Sequence, residues 1–303
     1  MLAPIALFAY DRPTHLMRVI ESLQKNTLAR NSELVIYSDA PKKDSSVNGV
    51  EQVRSYIAEI DGFKKVSIVE RGKNLGLAKS IISGVTEILE RCDRVIVLED
   101  DLVVSPFFLD YMNEGLEKYA DRQEVACIHG YVYPCHTPLP NHFFLRGADC
   151  WGWGTWRESW KIFNPDGKFL LDKLKEQGLT NAFDFDGTYP FTQMLSDQID
   201  EKNDSWAIRW YASAYLMNKL TLYPGKSLVS NIGNDGSGSH QENSNYFDVN
   251  ISTLPVKIGE IAIEESVFAK NAFANYFLGL HKAVSKGLIY RVGKFLGMNG
   301  VGA

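Results

Sequence analysis

The 303-residue chain is 45% hydrophobic, 12% aromatic and 23% charged, proportions that suit one large apolar core or two smaller ones and exclude large-scale disorder. Its net charge of −5 is uneven: Lys270, Lys282, Lys286, Arg291 and Lys294, but no acid, follow Glu265, so the part before them carries −10. An acidic body excludes nucleic acid as the main partner, because binding a phosphate backbone depends on clustered Lys and Arg.

Four cysteines, Cys92, Cys127, Cys135 and Cys150, show neither metal-site spacing nor a disulfide framework, which fits a reducing cytosol. The apolar start lacks a basic leader and runs directly into Asp11-Arg12-Pro13, so it reads as a strand rather than a signal peptide. No apolar run reaches the roughly 20 residues that span a bilayer. These features predict a cytoplasmic protein, soluble or peripheral on the inner face of a membrane.

In chain order, residues 4–9 read as a strand and Pro13 as the first position of a helix carrying Leu16, Val19, Ile20 and Leu23 at helical spacing. A strand at 34–37 ending at Ser38-Asp39, a helix at 50–60, a strand at 66–69, a loop at 70–75 and a helix at 77–89 follow. Next comes the most informative stretch, Val95-Ile96-Val97-Leu98-Glu99-Asp100-Asp101, a buried strand that ends in three carboxylates. Unpaired buried carboxylates are costly, so a cation is expected there. Mg²⁺ or Mn²⁺ needs only one or two carboxylates beside waters and substrate phosphates. Strand alternation would point Glu99 and Asp101 to one face and Asp100 to the other.

This alternation of strand and helix predicts an α/β fold with a mostly parallel sheet. Ligands bind such sheets outside the carboxyl ends of the strands, where Asp11, Asp39 and the triplet all fall. No dinucleotide fingerprint or P-loop is present, so metal is expected to hold the phosphates.

A helix at 106–119 and a strand at 125–132 come next, after which the composition changes. Trp153, Trp156 and Trp160 are spaced for one helical face of core, whereas Trp151 suits a pocket wall. Aromatic faces beside carboxylates suit sugars. An acidic, turn-like stretch at 197–204 leads into a helix at 206–217 and a strand at 221–223. Asp204 is a candidate general base there or, alternatively, the cap of that helix. The glycine-rich run at 230–240 reads as a mobile loop able to close over a ligand, with His240 at its end placed for phosphate or metal. The apolar residues Phe273, Phe277, Leu280, Val284, Leu288, Val292 and Phe295 recur at helical steps among basic residues. That pattern fits either a helix on an anionic membrane surface or a terminal helix packed on the domain.

These residues resemble the GT-A fold nucleotide-sugar glycosyltransferases, most closely the N-acetylglucosaminyltransferase I branch and bacterial family 2-like sugar transferases. The likeness runs over most of residues 4–245. It is carried by the triplet with Leu102 and the following Ser105-Pro106-Phe107-Phe108, by Asp11-Arg12-Pro13-Thr14 after the first strand, and by Ser237-Gly238-Ser239-His240. The resemblance implies a GT-A type mixed, mostly parallel sheet flanked by helices. A Rossmann-like nucleotide-binding half would cover residues 1–132, an acceptor half 133–250, and a basic helical tail 251–303.

It also implies a UDP-sugar donor held by Asp11, Arg12, Asp39, Lys73, Asn74, Glu99, Asp100, Trp151 and His240, with Mn²⁺ or Mg²⁺ on Asp101. Asp204 would be the catalytic base of an inverting transfer, although Asp204-Ser205-Trp206-Ala207-Ile208-Arg209 departs from the family's spacing. The acceptor is expected to be a glycan or lipid-linked hydroxyl in bacterial surface polysaccharide synthesis. Two alternatives are a sugar-phosphate nucleotidyltransferase, which would release pyrophosphate, and a non-catalytic carbohydrate-binding module, whose binding would be indifferent to metal and nucleotide.

Overall fold

A computed structural model describes residues 1–236 and 245–283. Its first part alternates as expected: β1 (Ile5–Ala9), α1 (Pro13–Gln24), β2 (Glu33–Ser38), α2 (Val47–Ile57), β3 (Lys65–Glu70), α3 (Leu77–Arg91) and β4 (Arg94–Glu99). There follow β5 (Leu102–Val104), α4 (Phe108–Lys118), β6 (Val125–His129), β7 (His142–Arg146), β8 (Trp153–Trp156), α5 (Arg157–Trp160), α6 (Gly167–Glu176), α7 (Thr180–Phe183), α8 (Phe191–Ile199), α9 (Trp206–Leu216), β9 (Leu220–Pro224), β10 (Val229–Asn231) and α10 (Val267–Ala283).

Eight strands form one sheet in the order β3-β2-β1-β4-β8-β6-β9-β7, and β5 pairs with β10 in a separate two-stranded ribbon. β1 runs parallel to β2 and β4, β2 to β3, and β6 to β9, while β8 is antiparallel to both β4 and β6, as β7 is to β9. The sheet is therefore the expected mixed, mostly parallel one with helices on its faces. Apolar residues sort by parity, as the two-residue period of a strand requires. Ile5 and Leu7 face Leu16, Val53 and Met112, whereas Ala6 and Phe8 face Ile81, Val85 and Trp210.

Strand parity also corrects the reading of the tryptophans. Trp153 and Trp156 lie on β8 and only Trp160 on the short α5, so the three do not share a helical face. Three residues apart on a strand, Trp153 and Trp156 point to opposite sides of the sheet and belong to different cores. The glycine-rich run is likewise partly regular, since Val229–Asn231 forms β10 and pairs with β5.

Within the tail, the described helix α10 packs on the domain. Phe273 and Phe277 are 1% and 0% exposed, Ser266 N donates to Phe144 O, and Lys270 pairs with Asp186 at 2.9 Å. This half of the apolar stripe is core and cannot also meet lipid. Val284, Leu288, Val292 and Phe295 lie outside the described residues. Among the described residues no helix is long and apolar enough to cross a membrane.

Candidate active site

Parallel pairing brings the carboxyl ends of three strands to one edge. Ala9 lies opposite Ser38 and Phe8 opposite Glu99, so the segments after β1, β2 and β4 emerge side by side. Asp100 and Asp101 form the turn between β4 and β5. The turn breaks strand alternation, and both carboxylates converge instead of facing apart as the sequence suggested.

They converge on Arg12. Its Nη2 donates to Asp100 Oδ1 at 2.5 Å and to Asp101 Oδ2 at 2.8 Å, and the Tyr10 N–H donates to Asp100 Oδ2 at 3.0 Å. The cation that the acidic triplet demanded is thus supplied within the protein, from the residue just before α1, whose N-terminal dipole adds to it. Burial alone would lower the Arg12 pKa, but the charges of Asp100 and Asp101 outweigh it and hold it above the ordinary value.

Burial raises the Asp100 pKa against the opposing pull of Arg12. Glu99 is pushed up to about 8 by burial, then by the charges of Asp101 and Asp100. A cluster with three acids and one guanidinium remains short of positive charge. Hard carboxylate oxygens at a strand end are the donor type that Mg²⁺ and Mn²⁺ prefer, and Asp101, 16% exposed, suits such an ion in chemistry. Among the described residues no three His, Cys, Asp or Glu side chains are already grouped to hold one, so substrate oxygens would have to complete the shell.

The segment after β10 lies against this cluster. Ile232 N donates to Asp101 O, and a Cβ on Gly233 would stand 2.3 Å from Asp101 Oδ2 and 3.0 Å from Arg12 Nη1. Only glycine fits there. Asp235 meets His15 at 3.1 Å. Neither Gly233 nor His15 carries a spacing signal that would have revealed it from sequence.

Asp39 forms a second cluster on the same edge. Its buried carboxylate accepts from the N–H groups of Ala40, Leu75 and Gly76 at 2.9–3.1 Å, and Asn74 Nδ2 donates to Ala40 O at 2.7 Å. Asp39 and Asn74 together shape the loop that leads into α3, while Lys73 is exposed and Asp11 partly buried.

Trp151 is half-buried, edge-on to Tyr131 at 4.8 Å and to Phe247 at 5.7 Å. It follows the Asp149-Cys150 pair, and the Cys150 thiol, raised by burial first, also feels both Asp149 and Glu99. A Cβ on Gly152 would stand 3.4 Å from Leu98 Cδ2, which places the Trp151 segment beside the strand that ends in the triplet. Gly152, at φ +70°, allows the tight turn into β8. Its carbonyl accepts from Gly130 N at 2.7 Å.

His129, fully buried, accepts from Trp151 N through Nε2 at 3.0 Å, so its proton belongs on Nδ1. Burial lowers its pKa despite the opposing charge of Asp149. A histidine held neutral in this way favours the folded state fully above its unfolded pKa of about 6.5, and that contribution is lost as pH falls below it through the folded pKa. The melting temperature of the native protein is therefore expected to fall more steeply as pH drops below about 6.5 than that of His129→Asn. Parallel slopes in a pH series of thermal melts would contradict this.

Asp204 lies on a different element. Ser205, not Asp204, caps α9, its hydroxyl accepting from Ile208 N at 3.2 Å. The Asp204 carboxylate is left 67% exposed with Arg209 Nη2 at 3.4 Å. Trp206 stacks on Trp153 at 5.3 Å, and Trp153 pairs with Val97 of β4, so α9 starts over the strand that neighbours the one ending in the triplet. His240 lies outside the described residues.

The family model described as glycosyl transferase family 2 matches residues 5–177, and no curated protein matches the chain. Among solved structures, the mannosyltransferase PcManGT from Pyrobaculum calidifontis aligns at 14% identity over 44% of this chain and 36% of its own, with a TM-score of 0.32. TarS of S. aureus aligns at 12% identity over 46% and 23%, with a TM-score of 0.32. A UDP-glucose pyrophosphorylase aligns at 13% identity over 74% and 90%, with a TM-score of 0.38. The chain thus spans well under two thirds of the first two. The family match takes in more than half of the chain and includes β1 to β4, the triplet and β8: the chain belongs to glycosyl transferase family 2.

Proposed function

We propose that this family 2 glycosyltransferase moves a sugar from a UDP-sugar to a hydroxyl of a glycan or lipid-linked acceptor, with inversion and with Mn²⁺ or Mg²⁺. The observation that carries the reading is the convergence of Arg12, Asp100 and Asp101 at the carboxyl edge of the sheet, beside the loop organised by Asp39 and Asn74. In this reading residues 1–132 hold the nucleotide, with Asp11, Arg12, Asp39, Lys73 and Asn74 around uridine and diphosphate. Glu99, Asp100 and Trp151 border the ribose and the sugar, and His240 would contact the phosphates.

Asp101 would hold the divalent ion, which when bound offsets the charge that develops as UDP leaves. Residues 133–250 form the acceptor side. There Asp204, exposed and oriented by Arg209, takes the proton from the acceptor hydroxyl as its oxygen bonds to the anomeric carbon. A single displacement of this kind needs no covalent sugar-enzyme intermediate. A role in surface polysaccharide synthesis at the inner face of a bacterial membrane fits the basic tail.

The test is a thermal melt with UDP, with and without Mn²⁺, on the native chain and on Asp101→Ala. A ligand at about 100 times its Kd adds roughly 2.7 kcal/mol, worth several degrees in a chain of this size. Stabilisation by UDP is expected only with metal and only when Asp101 is present. A transition that neither UDP nor Mn²⁺ moves would refute the nucleotide-sugar reading. Pyrophosphate release from UTP and a sugar phosphate would favour a nucleotidyltransferase instead.

A further inference from the structure

Arg12 holds the Asp101 carboxylate that a divalent ion would take in the reading above. One nitrogen, Nη2, bridges Asp100 and Asp101 at 2.5 and 2.8 Å, and two cations crowded onto one carboxylate repel each other. Gly233 crowds the same contact, since a Cβ there would stand 2.3 Å from Asp101 Oδ2 and 3.0 Å from Arg12 Nη1. The space around Asp101 Oδ2 is thus filled by Arg12 and Gly233, and an ion on that oxygen has to take the place of the guanidinium rather than bind beside it.

Departure of Arg12 would not strip the cluster. Asp100 keeps the Tyr10 N–H at 3.0 Å, and an incoming dication brings more charge than the guanidinium removes. The leaving guanidinium, however, loses two carboxylates at once and requires another anion. A diphosphate offers, on each phosphorus, a pair of non-bridging oxygens that its planar fork can match. Arg12, 18% exposed at its side chain, sits on the edge that a nucleotide would approach.

Resting on the nucleotide-sugar reading above, we propose that Arg12 is a built-in counter-ion of the acidic triplet, displaced from Asp101 by the divalent cation and taken up by the nucleoside diphosphate. Cation and nucleotide then bind as mutually dependent ligands. Each favours the Arg12 position that the other needs, which is a reciprocal coupling between two sites. A divalent cation alone must compete with the guanidinium and gains little, whereas the two ligands together leave every charge partnered.

Direct Mn²⁺ binding, followed by loss of the free-ion electron paramagnetic resonance signal, tests this on the native chain, Arg12→Gln and Arg12→Lys, without nucleotide and with UDP. Without nucleotide, Arg12→Gln is expected to bind Mn²⁺ about tenfold or more tightly than the native chain, within the usual range of coupling. Arg12→Lys keeps the charge but loses the fork, and its gain should be smaller yet measurable. UDP should tighten Mn²⁺ binding in the native chain by a larger factor than in Arg12→Gln.

A nucleotide-free affinity that is unchanged or weaker in Arg12→Gln overturns the proposal. If that variant does not fold, Arg12→Lys is judged by the same criterion. The deciding comparison contains no nucleotide, so the two ideas fail separately. Indifference of all three proteins to UDP would sink the nucleotide-sugar reading, while absence of a rise in Arg12→Gln would sink the counter-ion.

Discussion

Replacing Asp204 by Asn is expected to lower kcat for sugar transfer by a factor of about 10² to 10⁴, the usual contribution of a general base, while stabilisation by UDP with Mn²⁺ stays unchanged. The change is nearly isosteric, and the helix does not depend on it because Ser205 supplies the cap of α9. Arg209 also keeps its supports on the carbonyls of Ser205 and Pro165. In the proposed mechanism, what the change removes is the ability to take a proton from an attacking hydroxyl. Burial lowers the Arg209 pKa, with the Asp204 charge opposing, yet a guanidinium stays charged at any working pH. It therefore holds the carboxylate in place without competing for its proton. Steady-state kinetics paired with thermal melts measures both sides of the claim. A kcat within a few-fold of native would remove Asp204 from the chemistry, and a lost UDP response would place it in donor binding instead.

How much of this was legible in the sequence depends on whether the deciding interaction is local. The alternation from β1 to β4 was readable because the elements are specified by their own periods: helical spacing at Leu16, Val19, Ile20 and Leu23, and apolar runs in β1, β2 and β4, which are buried on both faces. The gathering of Asp11, Asp39 and the triplet on one edge followed from parallel pairing alone. The antiparallel insertion of β8 between β4 and β6 could not be read. The spacing of Trp153, Trp156 and Trp160 satisfies a helix, but it is equally met by a strand that enters a short helix.

The direction of the carboxylates was misjudged for a related reason. Whether Asp100 and Asp101 alternate or converge depends on where the turn begins, and the two-stranded ribbon of β5 with the distant β10 fixes that. Arg12, 88 residues from Asp100, was legible as a residue of the edge but not as the partner of the acids. Asp204 failed as a cap because the neighbouring Ser205 competes for the same N–H groups with the better geometry.

The tryptophan layer under α9 converts this fold argument into a second large effect. Trp153 is fully buried between Trp160, Trp206 and Trp210, with ring centres 5.3–6.0 Å apart. Truncation to Ala opens a cavity that its large neighbours cannot fill, at an expected cost of about 3–5 kcal/mol, which lowers the melting temperature by roughly 5–15 °C in a chain of this length. Trp153→Phe should cost far less than Ala. The Trp153 indole N–H is buried with no hydrogen-bond partner among the described residues, so phenylalanine removes an unpaired donor while keeping most of the stacking surface. The Ala variant is also expected to lose kcat beyond its loss of folded protein, because Trp206, two residues after Asp204, rests on the ring that has gone. Its Mn²⁺-dependent response to UDP should survive, since Trp153 joins β4 through backbone pairing at Val97. Thermal melts of both variants, with kinetics at a temperature where each is folded, separate these effects. Equal destabilisation by Phe and Ala would show that the indole, rather than the filled volume, holds α9 in place, and an Ala variant of native kcat would uncouple this layer from the position of Asp204.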